Sequence, residues 1–306
     1  MYAEIVMLEN ANTNYLPKLD RPLSLGVVGC GKISQIILPM LAPFGVRVVG
    51  LADANAAAAV ELAAKIEGAT ALPDTRSLLL SSLIDAVLIA TPPDTHLSLT
   101  KLCLEHGKAV ICEKPFVLCQ DEARMAVAAA EAHPGLRVAC CSSRFRFTPH
   151  AHAAARLLAE GALGRLHSVR IFVSGPPPPP NDHLPPWKRS AATAGGGIFA
   201  DWGGYELEWL RGVLGPAFDP AVVNAQLNHW RREGTDLESG YDAQIRCRSG
   251  LHDYRSLRRK SSPERAGPRE SNSTKPELAE IYYLVPRAMV DPAKIPVRRS
   301  LVCPSA

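Results

Sequence analysis

The sequence lacks the long apolar run that a membrane-spanning helix requires. No stretch of its 306 residues approaches the roughly 18 consecutive apolar residues of such a helix, so we expect no membrane partner. Residues 1–22 also lack the basic start and apolar block of a secretory signal. We therefore expect a cytoplasmic protein.

The eight cysteines lack the C-x-x-C spacing that is typical of zinc and redox sites. Several lie in apolar, strand-like runs such as Ala109–Cys112. They are interpreted as buried, reduced thiols. The pair His150 and His152 is too small a ligand set for a metal ion. We predict no metal site.

The chain also lacks a strong charge of one sign, since its net charge is +4. The basic excess lies in residues 251–306, which hold 11 Lys and Arg against 6 Asp and Glu. The rest is close to neutral and gives no basic groove for a nucleic acid. The hydrophobic fraction of 47% excludes disorder throughout.

From residue 24 to about 141, short apolar runs alternate with amphipathic stretches. Continuous apolar strands that alternate with helices predict a parallel sheet covered on both faces. The predicted strands are Leu25–Gly29, Val46–Ala52, Asp85–Ala90, Ala109–Cys112 and Leu136–Cys140. The predicted helices are Lys32–Leu41, Ala54–Ile66, Thr95–His106 and Asp121–His133.

After residue 142 this rhythm changes. The run Pro176–Pro180 predicts a stiff, extended loop. Helices are predicted over Pro149–Glu160 and Asp201–Val213, and strands over His167–Ser174, Val222–Trp230, Tyr241–Cys247 and Ile281–Val285. We divide the chain into an N-terminal extension (1–22), a nucleotide-binding domain (23–141), a substrate and oligomerisation domain (142–250), and a divergent or truncated tail (251–306).

The turn after the first predicted strand reads Gly29-Cys-Gly31-Lys-Ile-Ser34. It fits G-x-G-x-x-G with Ser34 in the third position, where Gly29 permits a tight turn and Gly31 lets a pyrophosphate approach the helix N-terminus. Asp53 ends the second strand, where an acid binds the ribose 2′-hydroxyl and repels a 2′-phosphate. NAD is favoured and NADP is possible. The alternative is a tight turn without a ligand.

Two further segments follow predicted strands at the edge where ligands bind in such sheets. Thr91-Pro92-Pro93 follows the third strand and Glu113-Lys114-Pro115 follows the fourth. Lys114 is thereby placed for chemistry in a crevice. The alternative is an ordinary surface lysine before a turn.

Five motifs occur in order, and together they resemble the glucose–fructose oxidoreductase and inositol dehydrogenase (Gfo/Idh/MocA) family. They are Gly29–Ser34, Ala90–His96, Glu113–Pro115, Gly161–Gly164 and Gly195–Tyr205. The resemblance covers roughly residues 23–250. It implies an α/β fold: an N-terminal Rossmann domain with a parallel sheet, and a C-terminal α+β domain with an open, mostly antiparallel sheet, incomplete here. It also implies hydride transfer between NAD(P) and a hydroxyl-bearing carbon of a sugar, a polyol or a related small molecule.

The resemblance carries over Lys114, Asp201 and Tyr205 as catalytic residues. Tyr205 stands where many members have His, and its spacing of four from Asp201 puts both on one helix face. The cofactor contacts it implies are Gly29, Gly31, Lys32, Ile33, Asp53, Thr91, Pro92, His96, Glu113 and Lys114. The substrate contacts are Lys114, Arg146, Trp187, Asp201 and Tyr205. Arg144 and Lys188 are either further substrate contacts or ordinary surface residues.

The tail leaves two other functions open. An open sheet that lacks strands exposes an edge and loses burial, so homo-oligomerisation through the C-terminal sheet is doubtful. The chain could then be a catalytically weak nucleotide-binding sensor or scaffold. The third possibility is an NAD-assisted glycosidase of the same family.

Overall fold

The structure is a computed structural model. It describes residues 21–163, 166–174, 185–197, 199–215, 220–228, 240–247 and 279–286. Three predicted segments lie outside these residues: most of the N-terminal extension, the Pro176–Pro180 loop, and the tail apart from residues 279–286.

The first part of the chain folds around a six-stranded parallel sheet with the order β3-β2-β1-β4-β5-β6. This is the order of doubly wound, dinucleotide-binding sheets. Its strands are β1 Leu23–Val28, β2 Val46–Ala52, β3 Thr70–Ala71, β4 Ala86–Ile89, β5 Ala109–Cys112 and β6 Val138–Cys140. Its helices are α1 Lys32–Ile37, α2 Ala56–Ala63, α3 Thr75–Leu80, α4 His96–Glu105 and α5 Gln120–Glu131.

Both faces of this sheet are buried along most of its length, which is why its strands are apolar at nearly every position. In the central strand β1, Leu25 and Val27 pack with Leu38, which directly follows α1, and with α2 on one face. Val28 points to the other face and packs with α3 and α4. Successive side chains in a strand point to opposite faces, so only a continuous apolar run fills both layers.

The predicted strands are present, and the helices differ at their ends and in number. Helix α1 ends at Ile37 because Pro39 has no N–H to continue the ladder, and two 3₁₀ turns follow. The sequence prediction missed β3 and α3. Helix α3 carries a standard start signal, since the Asp74 carboxylate accepts the Ser77 N–H at 2.7 Å.

The second part of the chain is built on two helices packed against a strand. Trp209 and Val213 of one helix pack with Ala151 and Leu158 of the other, and with Val169 of the strand. The elements are α6 Pro149–Glu160, β7 Leu166–Ser174, α7 Ala191–Ala194, α8 Gly204–Leu214, β8 Pro220–Asn228, β9 Gly240–Cys247 and β10 Ala279–Pro286. Helix α6 begins at Pro149 and ends before Gly161, whose φ is 69°.

The open, mostly antiparallel sheet predicted for this part is not seen among the described residues. They contain two separate pairs of strands: β8 and β9 are antiparallel, and β10 runs parallel to β7. The strand predicted within the tail is therefore present, and it pairs with β7 across a long sequence separation.

The cysteines differ in how deeply they are buried. Cys30, Cys103 and Cys112 are buried and free, as expected. Cys140 and Cys141 are only half-buried, and Cys119 is exposed because it directly precedes α5 at the surface. No helix in the described ranges is long and apolar enough to span a membrane.

Truncating the sheet core should cost more than truncating a surface leucine. Leu88 is buried in the centre of the sheet, whereas Leu83 is 73% exposed. We expect Leu88→Ala to lower the free energy of unfolding by about 2 to 5 kcal/mol, and Leu83→Ala by less than about 0.5 kcal/mol. Urea unfolding followed by far-UV circular dichroism measures both. Equal losses would contradict the assigned core.

Candidate active site

The site lies where β1, β4 and β5 end side by side. The Ala90 N–H donates to Val28 O at 2.8 Å, and the Glu113 N–H donates to Ile89 O at 2.9 Å. These bonds bring the turns after the three strands into contact. The predicted cofactor motifs and Lys114 are thus gathered at one edge of the sheet.

Gly29 is required by close packing between two of these turns. Its φ is +97°, and a Cβ built there would lie 2.5 Å from Ala90 O. The Ser34 hydroxyl, which is buried, donates to Gly29 O at 2.6 Å. Ser34 therefore fastens the turn as well as allowing close packing.

Gly31 and Asp53 fit a dinucleotide at the same turn. A Cβ built at Gly31 would meet no atom within 4 Å, so the fold itself does not require glycine there. The Asp53 carboxylate accepts the Cys30 N–H at 2.6 Å and the Asn55 N–H at 2.7 Å. Each carboxylate oxygen can accept a further hydrogen bond. Lys32 and Ile33 begin α1 and are exposed beside Gly31.

His96 is fully buried and joins two of the turns. Its Nδ1 lies 2.8 Å from Pro115 O and its Nε2 lies 2.9 Å from Thr91 O. Both neighbours are carbonyl acceptors, so both contacts are hydrogen bonds only when both ring nitrogens carry protons. The His96 side chain is enclosed by protein, so it can affect a cofactor only by holding Thr91 and Pro115 in position. Pro92, which directly follows Thr91, is half-buried. Its carbonyl oxygen accepts a hydrogen bond from the Thr95 hydroxyl at 2.8 Å.

Lys114 reaches from the end of β5 to the second part of the chain. Its Nζ donates to Asp201 O at 2.8 Å and forms an ion pair with Asp201 Oδ1. The two side chains are 21% and 33% exposed. Lys188 Nζ lies 3.7 Å from Asp201 Oδ2, and the buried Glu113 accepts the Lys114 N–H at 3.1 Å. Lys114 is therefore a fixed group and not a free surface lysine.

Tyr205 is enclosed beside this lysine and is 4% exposed. Lys114 Nζ lies 5.2 Å from its ring centroid, and Arg144 Cζ lies 4.1 Å from it. Phe145 and Trp202 contact the ring with centroid distances of 5.0 and 5.6 Å. Burial raises the pKa of Tyr205 far above its ordinary value, and the positive charge of Arg144 opposes this shift. The phenol therefore keeps its proton at neutral pH.

Glu206 is a buried carboxyl group that sequence reasoning missed. It is 6% exposed, and neither carboxylate oxygen has a hydrogen-bond partner within the described part of the chain. Burial raises its pKa to about 7, against the opposing charges of Arg144 and Lys114. No sequence signal marks it, because the burial of this face of α8 depends on tertiary packing.

The structure gathers most of the predicted substrate contacts. Asp201 lies in a π-helical turn, Phe199–Gly203, directly before α8, which carries Tyr205. Trp187 lies beneath Lys188, whose Nζ is 5.2 Å from the indole ring. Arg146 instead turns along α8, with its Nη1 4.0 Å from Glu208 Oε2. No cluster of three or more metal-ligating side chains occurs in the described ranges.

Two family models match the chain. "Oxidoreductase family, NAD-binding Rossmann fold" matches residues 23–139, and "GFO/IDH/MocA C-terminal domain" matches residues 151–254. The chain belongs to the GFO/IDH/MocA family of oxidoreductases. The parallel sheet is accordingly an NAD-binding Rossmann domain.

The names of several curated relatives of this GFO/IDH/MocA protein indicate that those relatives act on sugars or polyols. Inositol 2-dehydrogenase 2 of Saccharopolyspora erythraea is 31% identical over 69% of this chain and 58% of its own length. 1,5-Anhydro-D-fructose reductase of Ensifer adhaerens is 34% identical over 55% and 48%. Levoglucosan dehydrogenase of Pseudarthrobacter phenanthrenivorans is 29% identical over 74% and 60%. The match therefore spans about half to three fifths of these relatives.

Solved structures of similar fold contain NAD in one case and NADP in another. GenD2 from gentamicin A biosynthesis, in complex with NAD, has a TM-score of 0.67 and 28% identity, covering 76% of this chain and 64% of its own. KijD10, a 3-ketoreductase from Actinomadura kijaniata in complex with NADP, has a TM-score of 0.64 and 26% identity, covering 75% and 68%. Relatives of this protein thus bind NAD or NADP.

The two motif glycines should respond differently to the same substitution. Gly29→Ala clashes with Ala90 and should destabilise the Rossmann domain, whereas Gly31→Ala meets no protein atom and should fold normally. We expect Gly31→Ala to weaken NADH binding by at least about 10-fold, because the added methyl group obstructs the approach of the pyrophosphate. Thermal unfolding and NADH fluorescence titration measure the two effects. Unchanged NADH affinity in folded Gly31→Ala would contradict this site.

Proposed function

We propose that the protein is an NAD(P)-dependent oxidoreductase that acts on a hydroxyl-bearing carbon of a sugar, a polyol or a related small molecule. One observation carries the proposal: Lys114 at the edge of an NAD-binding sheet is held by Asp201 beside the enclosed phenol of Tyr205. Such a pairing of a cation with a proton donor suits an oxygen that changes between hydroxyl and carbonyl.

The cofactor would be held by the turn after β1. Gly31 would leave room for the pyrophosphate, Asp53 would accept a hydrogen bond from the adenosine ribose, and Thr91 and Pro92, which follow β4, would contact the cofactor at the same sheet edge. A bound nicotinamide supplies the hydride donor or acceptor. The negative charge of Asp53 favours NAD, because it would repel the 2′-phosphate of NADP.

The chain's own residues handle the oxygen and its proton. The Lys114 ammonium binds the substrate oxygen and stabilises negative charge on it. Asp201 fixes the direction of Lys114, since it contacts Nζ through both its carbonyl and its carboxylate. Tyr205, as a protonated phenol, donates a proton to a carbonyl oxygen during reduction and takes it back during oxidation.

Removing either group should lower turnover without removing the cofactor. We expect Lys114→Ala and Tyr205→Phe each to lower kcat by about 100-fold or more, with both variants still binding NADH and with NADH affinity nearly unchanged in Tyr205→Phe. Lys101→Ala, an exposed lysine on α4, is the matched control and should behave like the wild type. The assay follows NADH with a panel of polyols and aldoses.

The outcomes separate the proposal from its alternatives. Turnover that survives in Lys114→Ala at near wild-type rate would contradict the assignment. NADH binding without turnover of any compound would favour a sensor. Cleavage of a glycoside without net change in NADH would favour an NAD-assisted glycosidase.

The raised pKa of Tyr205 predicts that only one of the two reaction directions depends on pH. Only the phenolate accepts a proton, and its fraction grows about tenfold per pH unit below the pKa. Hydroxyl oxidation should therefore accelerate from about pH 6 to pH 9, whereas carbonyl reduction, which uses the phenol, should stay flat. Values of kcat/KM in both directions test this. The prediction is refuted if kcat/KM for oxidation reaches a plateau between about pH 6 and pH 9 and Tyr205→Phe shows the same plateau.

A further inference from the structure

Arg144 is a cation at the centre of the candidate site, and it has no ion-pair partner among the residues that the structure describes. It lies in the 3₁₀ segment Ser143–Phe147 and is exposed. Its Cζ lies 4.1 Å from the Tyr205 ring centroid and 5.7 Å from that of Trp202. Sequence reasoning left it as either a substrate contact or a surface residue. Its contact with the proposed proton donor favours the first.

This contact leaves the hydrogen-bonding capacity of Arg144 unused. A cation–π contact is electrostatic, and the guanidinium retains five N–H donors. The structure shows no hydrogen bond and no ion pair from Arg144 to any described residue. The buried carboxyl of Glu206 is nearby but not paired with it.

The other cationic side chains near Arg144 each lie close to a carboxylate. Lys114 and Lys188 share Asp201, and Arg146 lies near Glu208. Asp201 thus faces two ammonium groups with one carboxylate, and the buried Glu113 adds a second carboxylate near Lys114 and Tyr205. The cation that lacks a carboxylate partner among the described residues is Arg144, and an anionic ligand would pair with it.

We propose that Arg144 binds a carboxylate of the substrate, and that the substrate is a sugar acid or a related hydroxy acid and not a neutral polyol. This inference rests on the proposed function of the same site. The guanidinium fork matches a carboxylate with two parallel hydrogen bonds, and stacking on Tyr205 fixes its position. Because Arg144 contacts the ring whose hydroxyl meets the reacting oxygen, the carboxylate must lie close to the reacting carbon.

The test compares ligands that share one carbon chain: D-gluconate, neutral D-sorbitol and D-sorbitol 6-phosphate. Titration calorimetry of the full chain with saturating NADH measures their binding. We expect gluconate to bind about 10- to 100-fold more tightly than sorbitol, with a preference that weakens as salt rises. Arg144→Gln should abolish the preference, and Arg144→Lys should retain part of it.

Arg124→Gln is the matched control, since Arg124 is an exposed arginine on α5 that pairs with Asp121. It should keep the full preference for gluconate. Far-UV circular dichroism and NADH titration check that each variant is folded, and Arg144→Lys serves if Arg144→Gln does not fold.

Three results would overturn the inference. They are equal affinity of the wild type for gluconate and sorbitol (absence of binding by both included), a preference for gluconate that persists in Arg144→Gln, and tighter binding of the phosphate ester than of gluconate. The last would identify the bound group as a phosphate. Because the readout is binding, it stands apart from turnover. A protein that prefers gluconate through Arg144 but never transfers hydride would fail the proposed function alone.

Discussion

The ion pair between Lys114 and Asp201 is the contact on which the site depends. It joins the end of β5 in the Rossmann domain to the turn before α8, and the Asp201 carbonyl adds a second hydrogen bond to the same Nζ. Removing the Asp201 carboxylate would take away the ion-pair partner of a partly buried lysine, which is costly. The ion pair therefore holds the lysine in one direction and fixes the start of the helix that carries Tyr205. The proposed chemistry requires both groups at one substrate oxygen.

Enclosure decides what each remaining group near this pair can do. His96 belongs to a motif that implied a cofactor contact, yet its ring is surrounded by protein and lies between Thr91 O and Pro115 O. It therefore shapes the cofactor side and the lysine side of the crevice together. Tyr205 is enclosed in the same manner, and burial keeps its proton in place. His96 fixes the position of the two turns, and Tyr205 supplies a phenol that keeps its proton. Both contributions follow from packing.

The sequence was sufficient wherever the structure follows from a local pattern. Strand β2 has the predicted bounds Val46–Ala52, because a strand that is largely buried on both faces shows as a short run that is apolar apart from one residue, Arg47. Helix α1 was predicted too long, because the apolar period continues past Pro39, where the backbone cannot. The two-residue strand β3 has too few residues to show any period. The family motifs predicted the gathering of Lys114, Asp201 and Tyr205, which composition alone could not.

What the sequence could not give is the environment of those residues. The stacking of Arg144 on Tyr205 and the burial of Glu206 both depend on how α8 lies against residues 143–147, which is a tertiary relation with no local signal. Sequence reasoning left the role of Arg144 open and missed Glu206, and both groups bear on the electrostatics of the site. Glu206, with a pKa near neutrality, offers Arg144 at most part of a negative charge, and Asp201 is already shared by two lysines. The position of Arg144 beside Tyr205, without a carboxylate partner among the described residues, is thus a consequence of packing, and a neutral substrate would leave its guanidinium without one.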